Sequence, residues 1–188
     1  PRSARSESDP LRILVMGGSR GARVLNEELP RALAMAAAKG VKLSVIHLAG
    51  LQDTAEIQAV YDKAGIEADV QQFVQQMENI YLKTDLAMCR SGAATCAELA
   101  AFGVPALLIP YPHAVRDHQM SNARVMQDSG AADVVAQQDL TATWLRDYLV
   151  NVAAKPGRLE RMGAAMKKRG QVDAAQQLAN LIEKVGGE

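Results

Sequence analysis

Six short apolar runs, separated by longer stretches with helical spacing, constrain the fold of this chain more than any other feature. The runs predict β-strands at Leu11–Met16, Lys42–Leu48, Asp69–Phe73, Leu86–Cys89, Ala106–Ile109 and Asp133–Ala136. The segments between them predict helices at Ala22–Lys39, Thr54–Ala64, Met77–Lys83, Ala94–Phe102 and His118–Ser129. Strands that alternate with helices pair in parallel through right-handed crossovers, so we expect an α/β fold with one doubly wound sheet of about six strands.

The two ends of the chain depart from this alternation. Residues 1–10, PRSARSESDP, are polar and lack an apolar period, which predicts a linker or a disordered arm. After Gln138 the pattern becomes helical throughout, with helices expected at Thr141–Val152, Gly157–Arg169 and Asp173–Val185. Residues 11–188 are therefore expected to form one Rossmann-like domain whose helical C-terminal segment packs on the flank of the sheet or reaches toward a neighbouring domain.

Composition excludes several classes of partner. The chain of 188 residues carries 21 basic and 21 acidic side chains, so no broad attraction to nucleic acid or anionic lipid is implied. Its two cysteines lie seven positions apart without a Cys/His grouping, which argues against a disulfide framework or a zinc site. The longest apolar runs are far shorter than the about 20 residues that a membrane-spanning helix needs. These observations favour a reducing, cytoplasmic setting.

A glycine-rich loop, GGSRG at residues 17–21, follows the first predicted strand. Free backbone N–H groups at the start of the next helix favour an anion, and glycines let the backbone approach it, so a phosphate is the expected guest. The same glycines would also serve a tight turn between strand and helix. A nicotinamide dinucleotide is disfavoured, because the chain lacks the G-x-G-x-x-G spacing and the second strand does not end in an acid. A Walker A site is excluded because no GK[ST] follows the loop.

A second loop of the same kind follows the fourth strand, where Arg90 to Gly92 precede a helix that begins at about Ala93. Two anion sites on one edge of a parallel sheet suggest a diphosphate, or a phosphate with a sugar on either side. Glu98, in the second turn of this helix, is placed to accept hydrogen bonds from paired ribose hydroxyls. The alternative for Glu98 is an exposed helical glutamate without a partner.

A third cluster of polar residues follows the fifth strand. Asp117, His118 and Gln119 open a helix that carries Asn122 one turn further on. Together these side chains offer the donors and acceptors that a sugar ring needs. Alternatively, Asp117 is only a helix N-cap, and His118 and Gln119 are surface residues.

Four other side chains are interpreted as structural. His47 is predicted to be a strand residue that faces a helix, and Cys89 and Cys96 to be small buried apolar groups. Trp144 lies on an amphipathic helix and is expected to belong to the core.

Three stretches together, GGSRGARVLN, CRSGAATCAELAAFGVPALLIPY and DHQMSNA, closely resemble the C-terminal half of the MurG family. Members of that family are bacterial glycosyltransferases that add N-acetylglucosamine to lipid I to make lipid II in peptidoglycan synthesis. The likeness runs from about Leu11 to the C-terminal helices. It implies one half of a GT-B glycosyltransferase, namely the domain that binds UDP-N-acetylglucosamine. The family's GGTGGH motif is not found, so we expect a donor-binding domain without the N-terminal acceptor domain.

The resemblance also assigns contacts to individual residues. Phosphate contacts at the two helix starts fall on Ser19, Arg90, Ala93, Ala94 and Thr95, and Gly18 is expected to belong to the same substrate-binding site. Uracil is expected at the main chain of Phe73 and Val74, with Met77 lining the pocket. Glu98 matches the ribose-binding glutamate, and Gln119 matches a residue that contacts the hydroxyls of N-acetylglucosamine. Asn122 lies on the same helix face as Gln119, and His118 stands where some relatives have a second glutamine.

The reaction implied by the resemblance is an inverting displacement in which UDP leaves. No catalytic base is expected in this chain, because the family's base would come from the missing half; His113 and His118 lie where the donor sugar is expected. The chain has no D-x-D motif, so no obligatory metal is expected, although Mg²⁺ can accompany the diphosphate. Lipid I and the membrane surface would be reached through the missing domain, at the cytoplasmic face of the bacterial inner membrane.

Three alternatives remain open on the sequence alone. The chain could be a separate donor-binding half that acts with a membrane-bound chain, as in the split eukaryotic transferase that makes dolichol-linked chitobiose. It could be a UDP-N-acetylglucosamine 2-epimerase, which shares the GT-B fold. It could also be a non-catalytic sensor of nucleotide sugars.

Overall fold

The computed structural model describes residues 9–18, 23–114 and 117–170. The strands are β1 (Leu11–Met16), β2 (Leu43–Leu48), β3 (Glu67–Gln71), β4 (Leu86–Cys89), β5 (Ala106–Leu108) and β6 (Ala132–Val134). The helices are α1 (Arg23–Ala37), α2 (Thr54–Lys63), α3 (Met77–Tyr81), α4 (Ala93–Phe102), α5 (His118–Asp128), α6 (Ala142–Ala153) and α7 (Pro156–Lys168). A short 3₁₀ turn, Gln137–Asp139, connects β6 to α6.

The six strands form one sheet in the order β3-β2-β1-β4-β5-β6, and every neighbouring pair is parallel. The chain first builds outward from β1 through β2 to β3, then returns to the other side of β1 and builds outward again through β6. This arrangement confirms the predicted doubly wound α/β sheet. It also places a reversal of strand order between β1 and β4, where a crevice forms at the carboxyl ends of the strands.

Apolar residues on both faces of the central strands hold the helices in place. In β1, Ile13 and Val15 pack with α1, α2 and α6, whereas Leu14 packs on the opposite face with α3, α4, α5 and Met166 of α7. Successive side chains of a strand point to opposite faces, so a strand covered on both sides must be apolar at every position. That requirement explains why β4, and β1 from Ile13 onward, read as unbroken apolar runs.

The strand and helix bounds differ from the prediction by one or two residues at most positions, and the third strand shows the reason most clearly. The sequence predicts it at Asp69–Phe73, but it spans Glu67–Gln71. Strand β3 pairs only with β2, and that pairing runs from Ser44 opposite Glu67 to Leu48 opposite Gln71. Because β2 ends at Leu48, the regular pairing stops at Gln71; one last backbone hydrogen bond runs from Gly50 N to Gln72 O at 3.1 Å, and Phe73 lies in the following loop.

Two other expectations about structure have different outcomes. His47, Cys89 and Cys96 are buried as predicted, but the expectation that Trp144 belongs to the core is wrong, because its side chain is 38% exposed. One face of the Trp144 ring stacks on Tyr148, with 5.5 Å between the ring centroids; Tyr148, one turn further along the same helix, is half-buried and packs against the core. The predicted helix Asp173–Val185 and most of the predicted N-terminal arm lie outside the described residues.

At the amino ends of the strands, an ion pair joins β1 to the residue that precedes β4. The guanidinium of Arg12 donates from Nε and Nη2 to the two carboxylate oxygens of Asp85, at 2.9 and 2.6 Å. The carboxylate also accepts from the backbone N–H of Arg12 at 3.0 Å. The two central strands are thus held together at the edge opposite the crevice. In the part of the chain that the structure describes, no helix is both long and apolar enough to cross a bilayer.

Candidate functional site

A cleft of about 860 Å³ opens at the carboxyl edge of the sheet, at the reversal of strand order between β1 and β4. Its walls come from the ends of the strands, the loops that follow them, and the helices α1, α3, α4 and α5. The lining residues are Met16, Gly17, Gly18, Arg23, Val24, Leu48, Gln72, Phe73, Val74, Met77, Tyr81, Arg90, Gly92, Thr95, Glu98, Tyr111, His113, Gln119 and Gln137. All three motifs found in the sequence therefore contribute to one cleft.

Gly17 and Gly18, the first two residues of the first glycine loop, line the cleft. Gly18 has a φ of 87°, in the left-handed region that favours glycine, and a methyl group added at its Cα would meet no atom within 4 Å. The backbone conformation therefore explains this glycine, and crowding does not. The predicted phosphate contact at Ser19 falls on residues 19–22, which lie outside the described residues, and it stays a prediction.

The second loop presents the N-terminus of α4 to the cleft. Gly92 occupies the N-cap position without a side-chain hydrogen bond to the helix, and the first helical bond runs from Cys96 N to Gly92 O at 2.9 Å. The N–H groups of the three residues between them, Ala93, Ala94 and Thr95, precede this bond and have no partner within a regular helix. Glycine at the cap leaves these donors open to an anion. Thr95 lines the cleft, and Ala93 and Ala94 are exposed in the same turn.

Arg90 lies at the cleft wall and is held there by neighbouring oxygen atoms. Its Nη1 donates to the carbonyls of Ile109 and Pro110 at 3.0 and 3.2 Å, and its Nη2 donates to Oε1 of Gln137 at 2.6 Å. The guanidinium also lies over the Tyr111 ring, 5.4 Å from its centroid. Burial lowers the pKa of Arg90, but an arginine stays charged at neutral pH. The cation is therefore fixed beside the N-terminus of α4, with N–H groups left over for an anion.

Glu98 and Tyr81 meet across the cleft floor. The Tyr81 hydroxyl donates to Oε2 of Glu98 at 2.7 Å. Glu98 is exposed, whereas Tyr81 is 1% exposed. The alternative in which Glu98 has no partner is therefore wrong, since one of its oxygens is held by a buried hydroxyl.

Two hydrogen bonds tie the third motif to the second loop, and another joins Gln119 to the loop after β5. The backbone N–H of Tyr111 donates to Oε1 of Gln119 at 2.9 Å, which leaves the Nε2 end of that amide as a donor. Ser91 Oγ donates to the carbonyl of Gln119 at 2.8 Å, and Asn122 Nδ2 donates to the carbonyl of Ser91 at 3.0 Å. Gln119 lines the cleft, but Asn122 does not and instead braces α5 against the loop before α4.

Two further residues of this motif lie at the start of α5. His118 is exposed and does not line the cleft. Asp117 occupies the N-cap position of α5, as the alternative interpretation expected, but it has a φ of 53° and its side chain makes no capping hydrogen bond. His113 does line the cleft, and its ring lies 5.6 Å from that of Tyr111 in an edge-on arrangement.

The far end of the cleft is apolar and suits a flat ring. Phe73 and Val74 lie in the loop after β3, and Met77 opens α3. Phe73 is 52% exposed, which leaves its ring available to a ligand. These residues stand where the resemblance places uracil.

The structure offers no ready metal centre among residues 9–18, 23–114 and 117–170. No group of three or more His, Cys, Asp or Glu side chains there could hold a metal ion. Glu98, the carboxylate that lines the cleft, is engaged with Tyr81.

Three residues that hold other side chains of the site in place were not identified from the sequence. Tyr81 and Gln137 line the cleft and hold Glu98 and Arg90, and Ser91 joins the second loop to α5. Gln137 had a usable signal, because it follows the last strand and so must lie at the carboxyl edge. Tyr81 lies four residues after Met77, on the same side of a short helix, which is a weaker signal.

Comparison with known proteins agrees with this geometry. A sequence model of the glycosyltransferase family 28 C-terminal domain matches residues 12–178. The chain is 42% identical over 176 residues to a UDP-N-acetylglucosamine--N-acetylmuramyl-(pentapeptide) pyrophosphoryl-undecaprenol N-acetylglucosamine transferase of Aeromonas hydrophila. That match covers 94% of the chain and 48% of the relative, so the chain spans about half the length of the curated relatives it matches.

Solved structures give the same result at the level of the fold. The crystal structure of Acinetobacter baumannii MurG superposes with a TM-score of 0.85 at 36% identity, over 94% of this chain and 50% of that one. A glycotransferase of kitacinnamycin superposes with a TM-score of 0.67 at 20% identity, over 98% of this chain and 45% of that one, and this likeness shows the fold alone.

Proposed function

The chain belongs to the family of glycosyltransferase family 28 C-terminal domains, and from this premise we propose that it is the donor-binding domain of an N-acetylglucosaminyltransferase. Its donor would be UDP-N-acetylglucosamine, and the acceptor would be lipid I, which becomes lipid II in peptidoglycan synthesis. The names of the transferase from Aeromonas hydrophila and of the MurG from Acinetobacter baumannii support this choice over the epimerase alternative.

One observation carries the proposal: the uncapped N-terminus of α4 and the fixed cation of Arg90 lie beside the carboxylate of Glu98 in one cleft. A nucleoside diphosphate needs both kinds of group, since its phosphates require N–H donors and a positive charge, and its ribose diol requires an acceptor. The apolar patch at Phe73 and Met77 supports placing the base at the far end.

The proposed role in the reaction follows from this placement. When an acceptor hydroxyl displaces UDP from the anomeric carbon, negative charge grows on the leaving diphosphate. The N–H groups of Ala93 to Thr95 and the guanidinium of Arg90 would stabilise that charge without having to reorganise. The amide Nε2 of Gln119 would orient the sugar. The base that accepts the proton from the acceptor hydroxyl is proposed to belong to a second domain, as are the contacts with lipid I and with the cytoplasmic face of the inner membrane.

Calorimetric titration tests the proposal. We expect the chain to bind UDP and UDP-N-acetylglucosamine but not NADH. Glu98→Ala should weaken both uridine ligands by about tenfold, because a hydrogen bond to a charged acceptor contributes about 1.5–3 kcal/mol. Glu160→Ala, which alters an exposed glutamate of α7, is the matched control and should bind like the unaltered chain.

Two results would count against the proposal. If the folded chain binds neither uridine ligand, donor binding by this domain is wrong. If it binds them and Glu98→Ala makes no difference, the ribose does not lie at Glu98. Donor binding that persists without turnover when a membrane-bound partner chain is supplied would favour a sensor over a transferase.

A further inference from the structure

The hydrogen bond between Tyr81 and Glu98 joins α3 to α4, two helices that are separated in the chain by β4. Tyr81 is the last residue of α3, and Glu98 lies in the second turn of α4. The hydroxyl of Tyr81 donates to Oε2 of Glu98 at 2.7 Å, and both side chains line the cleft.

Packing holds the Tyr81 side chain, the donor in this bond, in one position, whereas the exposed Glu98 side chain, the acceptor, has rotatable bonds that packing does not fix. The Tyr81 ring is buried among apolar residues and packs on Phe102 with 5.3 Å between ring centroids. The other neighbour of its hydroxyl is the sulfur of Met16, at 4.0 Å, which is a weak acceptor. Glu98 is an exposed side chain with several rotatable bonds, so without the bond to Tyr81 a ligand would have to order it on binding.

Tyr81 is the donor in this bond. Burial, and next the hydrogen bond to Glu98, raise the pKa of Tyr81 far above its ordinary value. The hydroxyl therefore keeps its proton, and Glu98 keeps its role as acceptor. One carboxylate oxygen is held by Tyr81, and the other can accept hydrogen bonds from a ligand.

We propose that Tyr81 is a positioning residue, which fixes the Glu98 carboxylate so that the cleft selects a nucleoside diphosphate by its 2′-hydroxyl. The inference rests on the proposed function, because it assumes that Glu98 receives the ribose. A carboxylate that is already ordered can accept from two adjacent hydroxyls at little entropic cost, and loss of one hydroxyl leaves an acceptor unmatched.

The position of Tyr81 on α3 also links the two ends of the nucleoside. Met77, which lines the base end of the cleft, lies one turn before Tyr81 on the same helix. A displacement of α3 that moves Met77 would therefore also move Tyr81, and with it the Glu98 carboxylate. Base and ribose contacts are held in a fixed relation by one short helix.

The test compares binding of UDP and of 2′-deoxy-UDP to four forms of the full chain: unaltered, Tyr81→Phe, Glu98→Ala and the double variant. The unaltered chain should prefer UDP by about tenfold or more, which is the range expected for a bond to a charged acceptor. Tyr81→Phe keeps the ring and removes the hydroxyl, so it should reduce that preference to within about threefold. Glu98→Ala should do the same, and the double variant should lose no more than either single change, because the two residues act as one unit.

A matched control separates positioning from general loss of stability. Tyr61→Phe also removes a buried tyrosine hydroxyl, which lies 2.9 Å from His47 Nδ1 and away from the cleft, so it should keep the full preference for UDP. A Tyr81→Phe chain that keeps the full preference while Glu98→Ala loses it would overturn the inference and leave the proposed function standing. Failure of the unaltered chain to bind UDP at all would overturn the proposed function and the inference with it.

Discussion

His47 and Asn26 join the second strand to the first helix through a hydrogen bond of 3.0 Å between the ring Nε2 and the amide Oδ1. Asn26 Nδ2 donates to the carbonyl of Ala49 at 2.9 Å, so its Oδ1 must accept, and the proton of His47 lies on Nε2. The other ring nitrogen, Nδ1, therefore accepts from the hydroxyl of Tyr61 at 2.9 Å. Both nitrogens of a residue that is 0% exposed are satisfied in the neutral form.

This pairing predicts that the protein loses stability as the pH falls below neutrality. Burial lowers the pKa of His47 from 6.5 to about 4. The unfolded chain therefore binds a proton that the folded chain does not bind, between pH 6.5 and about 4. Stability from this group is complete above pH 6.5 and is lost as the pH falls toward 4, by up to about 3 kcal/mol.

Denaturant unfolding at pH 7 and pH 4.5 measures this contribution. His47→Gln does not titrate, so its free energy of unfolding should change between the two pH values by about 2 kcal/mol less than that of the unaltered chain. Tyr61→Phe, which keeps the histidine, should retain most of the pH dependence. Equal pH dependence in the unaltered chain and in His47→Gln would show that His47 does not titrate in this way.

The forked contacts of Arg90 predict that lysine cannot replace it. Arg90→Lys keeps the charge but cannot bond the two carbonyls after β5 and Gln137 together. We expect affinity for UDP to fall about tenfold, whereas uridine, which has no phosphate, should bind both forms alike. Titration with UDP and uridine checks this, with Arg124→Lys on the exposed face of α5 as control. If Arg90→Lys lowers the affinity for uridine as much as that for UDP, the substitution has altered the structure of the cleft and not a phosphate contact.

Gln119 and Asn122 lie on one helix, but their contacts predict different effects. Gln119→Ala removes a donor at the cleft, so it should weaken UDP-N-acetylglucosamine more than UDP. Asn122→Ala removes the brace to Ser91, so it should weaken both ligands by the same factor and lower the free energy of unfolding by about 1 kcal/mol. Calorimetry with both ligands, together with denaturant unfolding, distinguishes the two residues. If Asn122→Ala instead lowers the affinity for UDP-N-acetylglucosamine more than that for UDP, the result would support the predicted contact between Asn122 and the sugar.

The ion pair between Arg12 and Asp85 lies at the amino ends of the strands, away from the cleft. Its removal should therefore lower the stability of the fold and leave ligand binding unchanged. Arg12→Met removes the guanidinium from the Asp85 side chain, which is 8% exposed, and should destabilise the fold by about 2 kcal/mol. Arg23→Met breaks an exposed pair with Glu27 within α1 and should leave the unfolding midpoint essentially unchanged. Thermal unfolding of both variants checks this; equal midpoints would contradict the assigned role of Arg12.

The sequence was sufficient to predict the order and type of the elements, because β4 and the Ile13–Met16 part of β1 are covered on both faces and are apolar at every position. It was also sufficient to place Gly17, Gly18 and the start of α4, since their signals are local. The bond from Tyr81 to Glu98 could not be predicted, because it depends on how closely α3 approaches α4 in the folded chain. The prediction for Trp144 is wrong for a related reason. Helical spacing predicts which side of α6 faces inward, but Trp144 lies at the edge of that apolar side and beyond the core.

The doubly wound sheet has a consequence for how the site can change over evolutionary time. The crevice exists because the helices after β1 and β4 leave the sheet on opposite faces, so it belongs to the topology and needs no particular side chain to hollow it out. The apolar residues that make the fold lie within the strands and on the inner faces of the helices, whereas the residues that line the cleft lie mainly in the loops that follow the strands and in the adjoining turns of the helices. New ligand preferences can therefore arise by exchange of loop residues while the framework stays intact.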